Sequence, residues 1–206
     1  MIEAIIFDYG NVIFDIDHQL TINEFKKLGV QKDEGFFSHL KQNPLFDNFE
    51  TGDISIEDFR NGIRSIANVE LSNQDIDNAW NALLLGIREG YLDFLLDIKS
   101  KIPTYLLSNN NALHYEAIIK YLNEKHNIPD MSAYFVKDYY SHLMGMRKPN
   151  ANIFEFVIDQ HQLEAASTLF IDDSPQHLET AKQLGLQTHL MLRSETLQEV
   201  VNKYLY

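Results

Sequence analysis

The chain has 206 residues, of which 45% are apolar, with 17 basic and 30 acidic side chains, a formal net charge of −13 and no cysteine. This length suits one core domain with a smaller insert, and the lack of cysteine excludes disulfides, thiolate metal sites and cysteine nucleophiles. The negative charge disfavours nucleic acid and anionic lipid as partners. No window approaches the ~20 consecutive apolar residues of a membrane span. A start without a basic leader predicts a cytoplasmic protein.

Short apolar runs rich in β-forming residues predict five strands. The first, residues 4–8, ends at Asp8 within the stretch IIFDYGNVI. The other four runs cover 103–109, 132–140, 168–173 and 187–192. Most of them lack strict alternation with polar residues, which is typical of strands covered on both faces of a parallel sheet.

Helical segments separate the later strands. An asparagine cluster precedes the segment at 110–126, and a proline lies near the start of the segment at 148–163. The stretch SPQHLETAKQLG, at 174–185, has a capping serine, a proline at the first helical position and a final glycine. The alternation of strands and helices predicts an α/β fold with a doubly wound, Rossmann-like, mainly parallel sheet.

Residues 15–90 carry no strand signal and instead have the periodicity of helices. These helices are predicted near 18–28, 33–41, 55–67 and 73–85, and Ser55 with Asp58 forms a capping pair at the start of the third. The sequence therefore predicts a core domain at 1–14 and 91–206 and a helical cap domain at 15–90. Such a cap would lie over the carboxyl edge of the sheet, where open α/β sheets bind ligands.

Polar side chains stand at the ends of four predicted strands. In chain order they are Asp8, then Ser108 and Asn109, then Lys148 in GMRKPN, and finally Asp172 and Asp173. Each has an ordinary structural role available, such as capping or turn formation. Because parallel strands end at the same edge of a sheet, we expect all of these side chains to converge there.

This ordered set resembles the four motifs of the haloacid dehalogenase superfamily of hydrolases. The corresponding stretches are FDYGNV, LLSNN, GMRKPNANIF and FIDDSPQHLETAKQLG. The resemblance extends over essentially the whole chain, with residues 15–90 in the place of the helical cap. FDYGNVIFDID and GMRKP are most similar to a branch that contains α-D-glucose-1-phosphate phosphatases. The resemblance implies a Mg2+-dependent phosphatase acting on a small phosphate monoester, such as a sugar phosphate.

The resemblance also implies a role for each strand-end residue. Asp8 would attack phosphorus and form an aspartyl-phosphate, which splits one difficult displacement into two easier ones. Lys148 would neutralise charge beside the nucleophile. Together with Ser108 and Asn109, it would bind the phosphoryl oxygens in the transition state.

A divalent cation must offset the repulsion between a carboxylate and an anionic phosphoryl group. Mg2+ prefers oxygen ligands. The resemblance implies that Asp8, the main-chain carbonyl of Gly10 and Asp173 supply them, with Asp172 bound directly or through water.

Gly10 departs from the usual superfamily pattern, in which an acid two residues after the nucleophile protonates the leaving oxygen. General acid–base catalysis contributes about 10² to 10⁴ in rate, so we expect a slower enzyme and not an inactive one. Three substitutes stay open: Asp15, Asp17 or His18 of the insert, a substrate with an acidic leaving group, or ordered water. We favour the acidic leaving group.

Two other functions agree with parts of the sequence. A metal-independent haloacid dehalogenase also uses an aspartate nucleophile, but Asp172 and Asp173 would then be unpaired acids beside it. A module that binds phosphorylated ligands or a protein partner would explain Gly10 and predicts Mg2+-dependent binding without turnover. Candidate contacts from the insert to a ligand are Asp15, His18, Phe46, Phe49 and Trp80, although the aromatic residues also suit packing within the insert.

Overall fold

The computed structural model describes residues 1–30, 44–67 and 69–206. Within them lie seven strands: β1 (Ala4–Phe7), β2 (Phe14–Ile16), β3 (Leu84–Ile87), β4 (Thr104–Ser108), β5 (Lys137–Tyr140), β6 (Thr168–Asp172) and β7 (Gln187–Leu190). The same residues contain ten α-helices: α1 (His18–Lys27), α2 (Pro44–Glu50), α3 (Ile56–Ala67), α4 (Asn73–Asn81), α5 (Tyr91–Lys99), α6 (Ala112–His126), α7 (Ser141–Met144), α8 (Ala151–His161), α9 (Pro175–Gln183) and α10 (Leu197–Leu205).

Five strands form one parallel sheet in the order β5-β4-β1-β6-β7. The central strand β1 pairs with β4 on one side and β6 on the other, so that Ile5 lies opposite both Thr104 and Leu169. This topology confirms the predicted doubly wound sheet. The predicted strand at 132–140 is too long, because residues 132–134 form a 3₁₀ turn and the strand begins only at Lys137.

Helices cover the sheet on both faces. Ile5 and Phe7 of β1 pack into a cluster with α5, α6 and α10, whereas Ala4 and Ile6 pack against α8 and α9. All four residues are buried. Burial on both faces explains why this strand has no polar alternation.

The insert contains a second, small sheet, so the prediction of an insert without strands is wrong. Strands β2 and β3 pair antiparallel, with Phe14 opposite Ile87, and a register shift follows Asp15. The predicted helix at 73–85 ends earlier, at Asn81, because residue 84 already belongs to β3.

The other predicted insert helices agree with α1 and α3, and Ser55 and Asp58 form the expected reciprocal capping bonds, each 3.1 Å from nitrogen to oxygen. The helix predicted at 33–41 lies outside the described residues. The division into a core (1–14 and 91–206) and a cap (15–90) stays a prediction. In the described ranges, no helix is long and apolar enough to cross a membrane.

Candidate active site

Three of the predicted site residues meet at the carboxyl edge of the sheet. Asp8 directly follows β1 and Asp172 ends the neighbouring β6, so the parallel register brings the two carboxylates side by side. The Lys148 ammonium lies between them, with Nζ 2.6 Å from Asp8 Oδ1 and 2.7 Å from Asp172 Oδ2. Lys148 is 0% exposed and Asp8 is 8% exposed.

The pKa values of these groups reflect burial and mutual charge. Burial raises the pKa of Asp8 to about 7, although Lys148 opposes the rise. Burial alone would lower the pKa of Lys148, but Asp172 and Asp8 outweigh it and the pKa is raised. For Asp172, burial favours the neutral acid, yet Lys148 and His177 outweigh burial and its pKa is lowered. Lys148 and Asp172 are therefore both held in their charged forms and make a buried ion pair beside Asp8.

Asp173 completes a cluster that fits a divalent cation. Asp8, Asp172 and Asp173 each offer an oxygen within 4.8 Å of the other two. When all three are ionised, the single Lys148 ammonium leaves two negative charges uncompensated, which is the charge of one divalent ion. Three convergent carboxylates also provide the hard oxygen donors that Mg2+ prefers.

The two acids of motif four differ in how many partners they already have. Asp172 accepts the Ser174 main-chain N–H at 2.7 Å, in addition to Lys148, and His177 Nδ1 lies 3.1 and 3.0 Å from its two oxygens. Among the described residues, Asp173 accepts one side-chain hydrogen bond, from Asn11 Nδ2 at 2.8 Å. Asp173 therefore has more lone pairs free for a cation than Asp172.

Ser108 and Asn109 lie beside the same cluster, at the end of β4. The Asn109 side-chain amide makes two hydrogen bonds to the main chain of Lys148. Its Nδ2 donates to the Lys148 carbonyl at 2.8 Å, and its Oδ1 accepts the Lys148 N–H at 2.9 Å. Asn109 thus positions the lysine. Ser108 is 3% exposed, and its hydroxyl donates to the Asn109 carbonyl at 3.3 Å. Whether either side chain also binds a phosphoryl oxygen stays a prediction.

The space beside Gly10 is occupied by Ile16. A Cβ at position 10 would lie 2.9 Å from Ile16 Cδ1, so an acid at this position requires the Ile16 side chain to move. Two of the residues that could replace the missing acid at position 10 already have other hydrogen-bond partners. Asp15 accepts hydrogen bonds from Arg88 at 2.9 and 3.0 Å, and Asp17 caps α1 through the Gln19 N–H.

The aromatic residues of the insert pack mainly against one another. Phe49 stacks on Phe59 with centroids 4.1 Å apart, and Phe46 and Trp80 also contact Phe59. Trp80 in addition stacks on His114, 4.9 Å away, which links the insert to α6. These contacts agree with the packing alternative, and contact with a ligand stays a prediction.

Several residues of the site were not identified from the sequence. Asn11 adopts φ 55°, a left-handed conformation that asparagine tolerates better than most residues, and this turns its amide toward Asp173. His177 lies on the first turn of α9, three residues after Ser174. The only sequence signal for either residue was its proximity to a strand-end acid.

Arg147, immediately before Lys148, joins the insert to the core and was likewise missed. Its guanidinium forms ion pairs with Asp47 and Glu50, both on α2, and the Glu50 pair measures 2.9 Å. Nearby, the turn at Gly52 approaches α7 so closely that a Cβ would lie 2.3 Å from the His142 carbonyl oxygen. Helix α2 and its following turn therefore rest on the segment that supplies Lys148.

Fold and site together define an enzyme with an acidic, lysine-containing centre at the edge of a doubly wound sheet. The chain belongs to the haloacid dehalogenase-like hydrolases, because residues 2–185 match that family. This match and the structural relatives confirm the predicted hydrolase family.

Named relatives include a D-ribitol-5-phosphate phosphatase of Bacteroides thetaiotaomicron, 30% identical over 190 residues, which cover 91% of each chain. A family enzyme from the same organism, solved with magnesium and inorganic phosphate, is 32% identical with a TM-score of 0.84, over 97% of this chain and 99% of that one. A predicted family hydrolase of Porphyromonas gingivalis is 29% identical with a TM-score of 0.88, over 100% and 98%. None of these three is described as a glucose-1-phosphate phosphatase, so they do not bear out that branch.

Proposed function

We propose that this protein is a Mg2+-dependent phosphatase that hydrolyses a small phosphate monoester, with a sugar or sugar alcohol phosphate as substrate. The observation that carries the proposal is the convergence of Asp8, Lys148, Asp172 and Asp173 at one edge of the sheet. The phosphatase and the magnesium–phosphate complex among its relatives support the same reaction class.

Asp8 is the nucleophile in this proposal. One of its oxygens forms a bond to phosphorus while the bond from phosphorus to the ester oxygen breaks, and the leaving alkoxide takes a proton from water. Water then attacks the aspartyl-phosphate, which releases inorganic phosphate and restores the carboxylate. Lys148 holds Asp8 in place and favours its ionised form.

A bound Mg2+ would neutralise the phosphoryl charge and so allow one anion to approach another. Asp8, Asp173 and the Gly10 carbonyl would hold it. Asp172, whose oxygens are engaged by Lys148, Ser174 N–H and His177, would orient the lysine or contact the metal through water. Ser108 and Asn109 would donate to the phosphoryl oxygens.

Substrate identity is the finer part of the proposal. The similarity to a ribitol-5-phosphate phosphatase and the motif resemblance to glucose-1-phosphate phosphatases both favour a polyol or sugar as the leaving group. An anomeric phosphate would suit Gly10 best, since its leaving group needs little protonation.

Release of phosphate from p-nitrophenyl phosphate tests the reaction class, because its leaving group needs little help from an acid. We expect turnover with Mg2+, none with chelator and none for Asp8→Asn. Asp97→Asn, which removes an exposed carboxylate on α5, is the control and should keep wild-type activity. Ligand binding without turnover by the wild type would instead favour a binding module. Turnover without metal would contradict the assigned cation.

A further inference from the structure

Arg147 and Lys148 are the two adjacent cations of motif three, and both are already matched by carboxylates. Lys148 is engaged by Asp8 and Asp172 on the core side. Arg147 extends to the insert instead, where Asp47 and Glu50 contact its guanidinium. Lys148 is thus paired with carboxylates of the candidate catalytic site, whereas Arg147 is neutralised by carboxylates of the insert.

The neutralised cation lies where the insert meets the catalytic segment. Its chain neighbour Lys148 contacts the nucleophile, and the charge of Lys148 also acts on Glu50, whose pKa burial raises while Arg147 and Lys148 oppose the rise. The Arg147 side chain is 25% exposed and that of Glu50 29%, so part of this ion pair faces solvent, although Arg147 Nε and Glu50 Oε2 are themselves buried. The predicted position of the cap over the carboxyl edge of the sheet would bring a leaving group bound at Asp8 toward this boundary.

We propose that Asp47 and Glu50 are specificity-determining residues that, by neutralising Arg147, select phosphate esters with an uncharged leaving group. This inference rests on the proposed function. A free arginine at this boundary would attract a second phosphate or a carboxylate on the leaving group, whereas the matched pair offers such an anion no cation and adds carboxylates that repel it. Asp47 alone balances the guanidinium, so the selection does not depend on the protonation state of Glu50.

The backbone around these acids is fixed. Gly52, two residues after Glu50, has φ 76° and touches the main chain of α7. Helix α2 is therefore held against the segment that carries Arg147, and the carboxylates cannot drift away from it without breaking this close contact.

Two aryl phosphates of nearly equal size test the proposal, 4-carboxyphenyl phosphate with a charged leaving group and 4-carbamoylphenyl phosphate with a neutral one. The measured quantity is the ratio of their kcat/KM values, charged over neutral, with saturating Mg2+. We expect Asp47→Asn/Glu50→Gln to raise this ratio about tenfold, the factor that one freed charge-assisted contact is worth. Arg147→Gln should lower the ratio below that of the wild type, because it leaves both acids unmatched.

Asp77→Asn, which breaks an insert ion pair with Arg60, is the control and should leave the ratio unchanged. Asp47→Asn alone replaces a side chain that is 63% exposed, and it serves as the test if the double variant fails to fold. It should change the ratio in the same direction. A ratio that stays constant in every variant, or that moves as far in Asp77→Asn, would overturn the inference and leave the phosphatase intact. Absence of Mg2+-dependent turnover by the wild type would overturn both.

Discussion

Replacing Lys148 by methionine measures how strongly the buried charges of the site depend on one another. Methionine retains much of the side-chain length but removes the ammonium, so Asp8 and Asp172 lose the cation between them. Removing one partner of a buried ion pair costs about 3–5 kcal/mol, and Lys148 belongs to two such pairs, at 2.6 and 2.7 Å. In chelator we expect the free energy of unfolding to fall by about 4 kcal/mol, a large part of the ~5–15 kcal/mol of a typical domain.

Urea unfolding provides the assay, with and without Mg2+. Lys101→Met is the control, because it breaks an exposed pair with Asp97 and should cost less than about 1 kcal/mol. Mg2+ should restore part of the loss in Lys148→Met, since a ligand at 100 times its Kd stabilises by about 2.7 kcal/mol. A loss no larger than that of the control, or no stabilisation by Mg2+, would refute the account of the site as one charge cluster around Lys148.

Three further predictions follow from individual contacts. Gly52→Ala should destabilise by about 1–3 kcal/mol more than Gly29→Ala in urea unfolding. Both glycines have positive φ, but among the described residues only Gly52 lies against a neighbouring main chain; equal losses would refute the close contact. Burial lowers the pKa of His114 from 6.5 to about 3 in the folded protein. As the pH falls below 6.5, this histidine therefore takes up a proton in the unfolded chain but not in the folded one. The free energy of unfolding then decreases, by about 2 kcal/mol at pH 5. His114→Phe should remove that fall, and an unchanged pH dependence would contradict it. Finally, kcat/KM of the wild type, which reports the step that expels the leaving group, should depend steeply on leaving-group pKa. Gly10→Asp/Ile16→Ala should flatten this dependence and speed poor leaving groups by at least about tenfold, while a flat wild-type dependence of kcat/KM would show that another acid acts.

Much of the site was predictable because it depends on where strands end. An apolar run that stops at Asp8 and another that stops at Asp172 indicate the same edge of one sheet, and the parallel order follows from the helices between them. Lys148 was found from its place after the run at 132–140, although helix α7 separates it from β5 and the strand was predicted to begin five residues too early. A strand that is buried on both faces can be recognised in the sequence as a continuous apolar run without polar alternation.

The small sheet was not predictable from local pattern. Strands β2 and β3 have only three and four residues, lie far apart in the chain and pair across a register shift, so neither carries a period long enough to recognise. The contacts of Arg147, His177 and Asn109 could not be predicted from the sequence either. Each depends on which way a side chain turns after the backbone is in place, and residue type alone leaves that direction open.

The pairing of β2 with β3 has a consequence for how this fold can vary. The chain leaves the core along one strand of the ribbon and returns along the other, so residues 17–83 form a loop whose two ends are fixed side by side. Changing the length of such a loop costs little, about 0.6 kcal/mol of closure entropy for each doubling. On the proposed function, we therefore expect such a ribbon to carry inserts of different size and shape beside the edge that holds Asp8. New substrates would then be reached by exchanging the insert while the candidate catalytic residues stay in place.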